Sequence, residues 1–483
     1  MKILCIASEV DPFAKTGGLA DVASALPKAL AAQGHDIRLV MPLYRQIDRV
    51  KGAIRPTHIA IPVSFGPRVL TGWVWEGRLP KTDVIVYFID CPLLFDRDGL
   101  YQVQGKDFPD NLERFSFFSQ AALRMLQAIQ WQPEVVHCHD WQSALASVHL
   151  AHGAIAREPF FSSMASILTI HNLAYQGLFP PDQWWLTNLP PSLFSLQGLE
   201  FYGQINCLKG GLVSAGMLTT VSPTYAREIQ TQEFGCGLDG VLRERRQDVI
   251  GILNGIDMDE WNPQADPHIA APYSAANPKG KAACKRALQT SQRLPERGDL
   301  LIGMIQRLAD QKGIDIVVRA FEELMTLPVQ VVILGTGDPA YHQQLEALAK
   351  RFPKQLAINL TFNNALAHQI EAGADAFLMA SRFEPCGLNQ MYSMRFGTIP
   401  LVKRVGGLAD TVVDGTTGFV FEEHAAAALV ETVKRALAAF ENRRAWSQLM
   451  QTGMRADFSW TRSASDYLNV YKQALAKALK AEG

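Results

Sequence analysis

Short apolar runs alternate with helix-period segments along almost the whole chain, and this alternation constrains the fold more than any other feature. The clearest runs in the first half are residues 3–7, 37–41, 84–89, 135–139, 167–171 and 217–221. Residues 300–305, 329–334, 357–362, 375–379 and 398–403 continue the series in the second half. Runs that are apolar at nearly every position suit strands covered on both faces. Their alternation with helices predicts an α/β architecture of parallel, doubly wound sheets. The chain has 483 residues, more than one core usually supports, so two such domains are expected.

Residues 91–115 break the rhythm and read as a loop. Residues 176–197 hold four prolines and Trp184-Trp185, and read as a long ordered excursion. After Asn254-Gly255-Ile256-Asp257 come Pro263, Pro267, Pro272 and Pro278, the best linker candidate. A helical segment is predicted over 279–289, and an amphipathic helix from about Ser463 to the end.

Composition narrows the function. Hydrophobic residues make up 48% and charged residues 19%, which excludes a disordered chain. The formal charge of −1 gives no global attraction for nucleic acid or an acidic membrane, so any anion site must be a local cluster of cations. Seven cysteines without a C-x-x-C pair suggest a reducing, cytoplasmic setting. Glu9 and Asp11 interrupt the first apolar run, which makes it a poor signal peptide, and no apolar run has membrane-spanning length.

The first run leads into Lys15-Thr16-Gly17-Gly18 and a helical pattern through Leu30. Strand, glycine loop and helix together let backbone N–H groups approach an anion, and Lys15 adds a full charge; an ordinary turn with a solvated lysine is the plain alternative. His137-Cys138-His139-Asp140-Trp141 closes another run. The two histidines share one strand face and could bind zinc, or could simply be polar residues at a strand end. His171-Asn172 suits hydroxyl binding. Arg307 and Lys312 follow a strand and suit a diphosphate. In Ser381-Arg382-Phe383-Glu384-Pro385-Cys386-Gly387-Leu388, the amides near a helix start could hold a phosphate and Glu384 sugar hydroxyls. Gly335-Thr336-Gly337-Asp338-Pro339-Ala340 has the form of a dinucleotide fingerprint, but the next strand ends Thr361-Phe362-Asn363-Asn364 with no acid for a ribose, so a tight turn is the better reading. Asp96-x-Asp98 and Asp257-x-Asp259 are too short to carry weight and read as solvated acids.

Taken together and in order, these segments resemble the bacterial glycogen synthase and plant starch synthase family. The resemblance adds Asn254-Gly-Ile-Asp and Gly406-Gly-Leu-Ala-Asp-Thr, and runs from residue 1 to about 420. It implies two Rossmann-like domains facing a deep cleft, the GT-B arrangement. The first would span 1–248, the second 249–457, with a helix over 458–483 returning to the first. It also implies transfer of glucose from ADP-glucose to the non-reducing end of a glycogen or α-1,4-glucan primer, with retention and release of ADP, and no metal or other cofactor.

Within that resemblance Lys15, Arg307 and Lys312 would face the departing diphosphate, helped by N–H groups at Gly18, Gly387 and Leu388. His171 and Asn254 would hold glucose hydroxyls, Glu384 the far side of the ring, and Asp140 the acceptor or the glucose. Preorganised cations stabilise the negative charge that builds on a leaving diphosphate. One departure stands out. Related retaining transferases carry E-x7-E, but the position eight after Glu384 is Tyr392, so the usual ribose contact is missing. Trp184-Trp185 could stack on glucan or anchor its loop. A glucan phosphorylase, a non-catalytic glucan-binding protein and a zinc hydrolase built on His137 and His139 are the competing readings.

Overall fold

The computed structural model of the chain describes residues 1–482, which fall into two compact units. The first unit comprises Met1–Val221, Ala226–Gly255 and the helix Trp460–Glu482. The second comprises Ser222–Tyr225 and Ile256–Ser459. The division therefore falls after Gly255 rather than after residue 248, because Val249–Gly251 pairs with Met217–Thr220 and extends the first sheet.

The first unit is built on nine strands in the order Val249–Gly251, Met217–Thr220, Ala165–Ile170, Val135–His139, Lys2–Ile6, Asp36–Pro42, Ile85–Asp90, Arg68–Arg78, Arg55–Phe65. The first seven are parallel and the last two antiparallel. The central strands are buried at every position, which explains their unbroken apolar runs. The Arg55–Phe65 hairpin strand was not evident from its residues. It lies at the sheet edge, where Pro56 and Pro62 remove donors the ladder does not need, and its burial alternates.

The C-terminal helix packs on this unit through Ala464, Tyr467, Val470, Tyr471 and Ala474, a stripe at helical spacing with at most 2% exposure. The loop expected over 91–115 is too long. The helix Asn111–Ala128 begins inside it, and Gln102–Val103 pairs with Lys106–Asp107. Arg114 hid the helix pattern. It is a charged residue at 0% exposure, and its guanidinium donates to the carbonyls of Leu94 and Leu100 and to Asn111 Oδ1.

The second unit carries six parallel strands in the order Leu356–Asn359, Val329–Leu334, Leu300–Ile305, Ala376–Met379, Ile399–Lys403, Phe419–Phe421. The proline-rich stretch is not a linker. It wraps this unit: Trp261 stacks on His368 and Tyr392 at ring distances of 4.1 and 3.8 Å, and the Tyr273 hydroxyl donates to the Phe396 carbonyl at 2.8 Å. No helix among the described residues is long and apolar enough to cross a membrane.

Each sheet has a switch point where successive strands depart to opposite sides. In the first unit it lies between Lys2–Ile6 and Val135–His139, and in the second between Leu300–Ile305 and Ala376–Met379. The carboxyl ends of strands at such points form the crevice that open α/β sheets offer to ligands. The loops leaving these four strands carry Lys15, Asp140, Arg307 with Lys312, and Glu384.

Candidate active site

In the first unit, the loop after Lys2–Ile6 is held by an acid that sequence reading passed over. Glu9 is buried, and its carboxylate accepts from the Thr16 hydroxyl (2.6 Å), the Thr16 and Gly17 amides (2.5 and 3.3 Å) and the Tyr101 hydroxyl (2.7 Å). The Thr16 and Gly17 amides are thus engaged within the protein. Gly18, the first residue of the helix Gly18–Ala32, is the loop position whose amide the Glu9 carboxylate does not take. Lys15 is half-exposed and pairs with Asp21 at 2.5 Å. In the sequence Glu9 reads, with Asp11, only as a break after the first apolar run.

The loop after Val135–His139 holds Asp140, at φ 56° and ψ −174°. A residue other than glycine rarely adopts this backbone, and such strain gathers at functional sites. The Asp140 amide donates to the Thr169 carbonyl at 2.9 Å, and Oδ1 accepts the His171 amide at 2.7 Å. Two expected site residues thus meet directly. Burial pushes the Asp140 carboxyl up to about 7. Burial also holds the His171 imidazole well below its ordinary range, with His139 adding to the effect. The His171 Nε2 lies 3.0 Å from His139 Nδ1. Asn254 is buried, and its side-chain carbonyl has no hydrogen-bond partner among the described residues.

His137 and His139 do not form an obvious zinc site. With Cys5 they bring three potential ligand atoms within 4.8 Å of one another. Yet His137 already uses both ring nitrogens, Nδ1 with Tyr471 Oη (3.0 Å) and Nε2 with Thr169 Oγ1 (2.6 Å). Burial also drives the Cys5 thiol upward, toward the protonated form that does not ligate.

In the second unit, Lys312 Nζ lies 2.5 Å from Glu384 Oε2, which also accepts the Ser381 hydroxyl at 2.8 Å. The predicted diphosphate cation and sugar-binding acid are therefore direct partners. Arg307 stands apart from this pair: it is exposed and donates to Gln311 Oε1 at 3.1 Å.

Glycines set the backbone here. A Cβ on Gly406, at φ +43°, would lie 1.8 Å from the Glu384 carbonyl, and one on Gly407 would lie 2.0 Å from the Cys386 carbonyl. The Gly407 amide donates to the Glu384 carbonyl at 3.1 Å, and the Ser222 hydroxyl to that of Pro385 at 2.6 Å. Gly387 sits at φ +72°, just before Leu388 and the helix Asn389–Arg395. The Gly335–Ala340 turn supports the Arg307 loop: the Leu308 amide donates to the Thr336 carbonyl and the Asp338 amide to that of Leu308.

The weaker motifs resolve into structure. Arg45 bridges Asp96 and Asp98 at 2.9 and 3.2 Å, and Asp257 caps the amides of Asp259 and Glu260. Trp184 packs on Phe194 with ring centroids 5.4 Å apart, whereas Trp185 is 53% exposed.

Comparison with known proteins covers the whole chain. The family described as "Starch synthase catalytic domain" matches residues 2–244, and "Glycosyl transferases group 1" matches residues 286–451. The chain is 47% identical over 481 residues to glycogen synthase 2 of Geobacter sulfurreducens, covering 98% of this chain and 99% of that one. It is 49% identical over 483 residues to a glycogen synthase of Anaeromyxobacter sp., covering 99% and 100%. Among solved structures, the catalytic domain of starch synthase IV from Arabidopsis thaliana, bound to ADP and acarbose, superposes with a TM-score of 0.91. It shares 32% identity, with 98% of this chain and 99% of that one covered.

Proposed function

The chain belongs to the bacterial glycogen synthase and starch synthase family of GT-B glycosyltransferases, and from that premise we propose that it moves glucose from ADP-glucose to the non-reducing end of an α-1,4-glucan with retention of configuration. In this reading the C1–O bond to the diphosphate breaks and the acceptor hydroxyl forms the new C1–O bond on the same face. A leaving phosphate oxygen takes the hydroxyl proton. No separate general base is needed.

Negative charge builds on the departing ADP. Lys312, Arg307 and Lys15 are the cations assigned to it, with the Gly18, Gly387 and Leu388 amides as further donors. His171 and Asn254 hold glucose hydroxyls, Glu384 the far side of the ring, and Asp140 the acceptor or the glucose. The observation that supports this most is the 2.5 Å pairing of Lys312 with Glu384 at a strand-end switch point, since one contact then joins phosphate binding to sugar binding. The cysteines, none of them in a disulfide among the described residues, suit a cytoplasmic setting.

The test is incubation with ADP-glucose, glycogen and a metal chelator while ADP release is followed. Release that persists under chelation and collapses in Lys15→Ala supports the reading. No ADP above the Lys15→Ala background refutes it.

A further inference from the structure

His139 is not among the residues assigned to the substrate, yet it is built into the site. It has 0% exposure, its Nδ1 lies 3.0 Å from Nε2 of His171, and its ring packs against that of His137, centroids 4.2 Å apart and planes tilted by 35°. His137 is itself fixed from both sides, by Tyr471 of the C-terminal helix and by Thr169, whose hydroxyl pairs with that of Thr219 at 2.6 Å. The plane of His139 is therefore set by a packed, hydrogen-bonded layer.

Burial keeps both members of the His139–His171 pair neutral, His139 down to about 3 and His171 well below its usual range. Two neutral imidazoles that share one hydrogen bond have two arrangements. If His171 donated from Nε2, the His139 proton would sit on Nε2, which is buried and has no partner among the described residues. A buried N–H without an acceptor is rare in folded proteins and costs about 1–3 kcal/mol. If His139 donates from Nδ1, its buried Nε2 is a bare lone pair, and the N–H left without a protein partner belongs to His171, which is partly exposed and so open to water or a substrate oxygen. The His171 proton then resides on Nδ1, and no hydrogen bond of that atom occurs within the described residues.

We infer that His139 is a positioning residue: it donates Nδ1–H to His171 Nε2 and so fixes the His171 tautomer, with a hydrogen-bond donor at Nδ1 ready for a substrate oxygen. This rests on the proposed role of His171 toward glucose. The same logic orients metal-ligating histidines, where the partner of one ring nitrogen sets the state of the other.

The test uses the full chain with 15N-labelled histidine, the His171 signals being assigned by their loss in His171→Ala. Nitrogen shifts of the wild type are expected to show a protonated Nδ1 and a bare Nε2 on His171. His139→Asn, whose amide nitrogen can occupy the Nδ1 position, is expected to keep that pattern and near-native turnover. His139→Leu is expected to mix the tautomers and lower kcat about 10- to 100-fold, with a smaller change in KM for ADP-glucose.

A His171 protonated on Nε2 in the wild type overturns the inference, and so does a folded His139→Leu protein with unchanged tautomer and turnover. Should His139→Leu fail to fold, the wild-type spectrum decides alone. Full turnover in His171→Ala would refute the role of His171 in the proposed reaction, while the spectrum would still decide which histidine donates.

Discussion

Lys312 and Glu384 show how two side chains gain meaning only when they meet. Each alone is ordinary: a lysine after a strand, an acid before a proline. At 2.5 Å, with side chains 19% and 8% exposed, they form a largely desolvated pair, and removing one partner leaves the other charge uncompensated. Lys312→Ala and Arg307→Ala are each expected to lower kcat by ~10²-fold or more, the scale of losing one transition-state donor. Steady-state ADP release measures this, and an unchanged kcat would mean that the diphosphate sits elsewhere. The buried histidines support a prediction on stability. His139 is held at about 3 in the fold against an unfolded value near 6.5, so the unfolded chain binds the extra proton below pH 6.5. Its contribution to stability is complete above pH 6.5 and is lost as pH falls toward 3, by about 1.4 kcal/mol per pH unit. His137 and His171 shift in the same direction, whereas Asp140, raised by burial, opposes them between its unfolded value and about 7. Melting temperature should therefore fall on acidification below pH 6.5, and less steeply in His139→Asn than in wild type.

Among the elements, the glycine motifs carry most of the site's precision. Gly406 leaves room for the Glu384 carbonyl where no side chain fits, and its positive φ adds strain for any replacement. Gly406→Ala is expected to cost about 1–3 kcal/mol from backbone conformation alone and to displace Glu384. Turnover should fall more than the melting temperature suggests, and wild-type kcat in a folded Gly406→Ala would contradict that. Glu9→Gln should weaken the grip on the Thr16 and Gly17 amides and raise KM for ADP-glucose more than it lowers kcat, as steady-state kinetics would show. The parallel strands were legible because burial on both faces writes unbroken apolar runs. The positions of Lys15, His171, Arg307, Lys312 and Glu384 in the loops after those runs were legible too. The edge hairpin, the Arg114 helix and the Glu9 clamp were not, because solvated edges, buried charges and carboxylate-to-amide contacts leave no periodic mark. The prolines of 263–278 misled for a related reason: they bend an ordered wrap, and only its partners Phe396 and His368 reveal this.

The whole molecule is two α/β units, with the chain returning to the first for its last helix. Tyr467, Val470, Tyr471 and Ala474 bury that helix, and Tyr471 reaches the layer behind the proposed sugar-binding histidine. Truncation after Ser459 is expected to uncover the apolar stripe's partner surface and abolish the cooperative melting of the first unit, which limited proteolysis would report. In the proposed reaction Lys15 and Lys312 are both assigned to the departing diphosphate, although nothing in their spacing along the chain requires it. A double-mutant cycle on kcat/KM for ADP-glucose, with Lys15→Ala, Lys312→Ala and both together, tests this most directly. We predict large losses in each single variant and a combined loss smaller than their product, a coupling of about 0.5–3 kcal/mol. Losses that multiply without coupling, or a Lys15→Ala enzyme with wild-type kcat/KM, would contradict it.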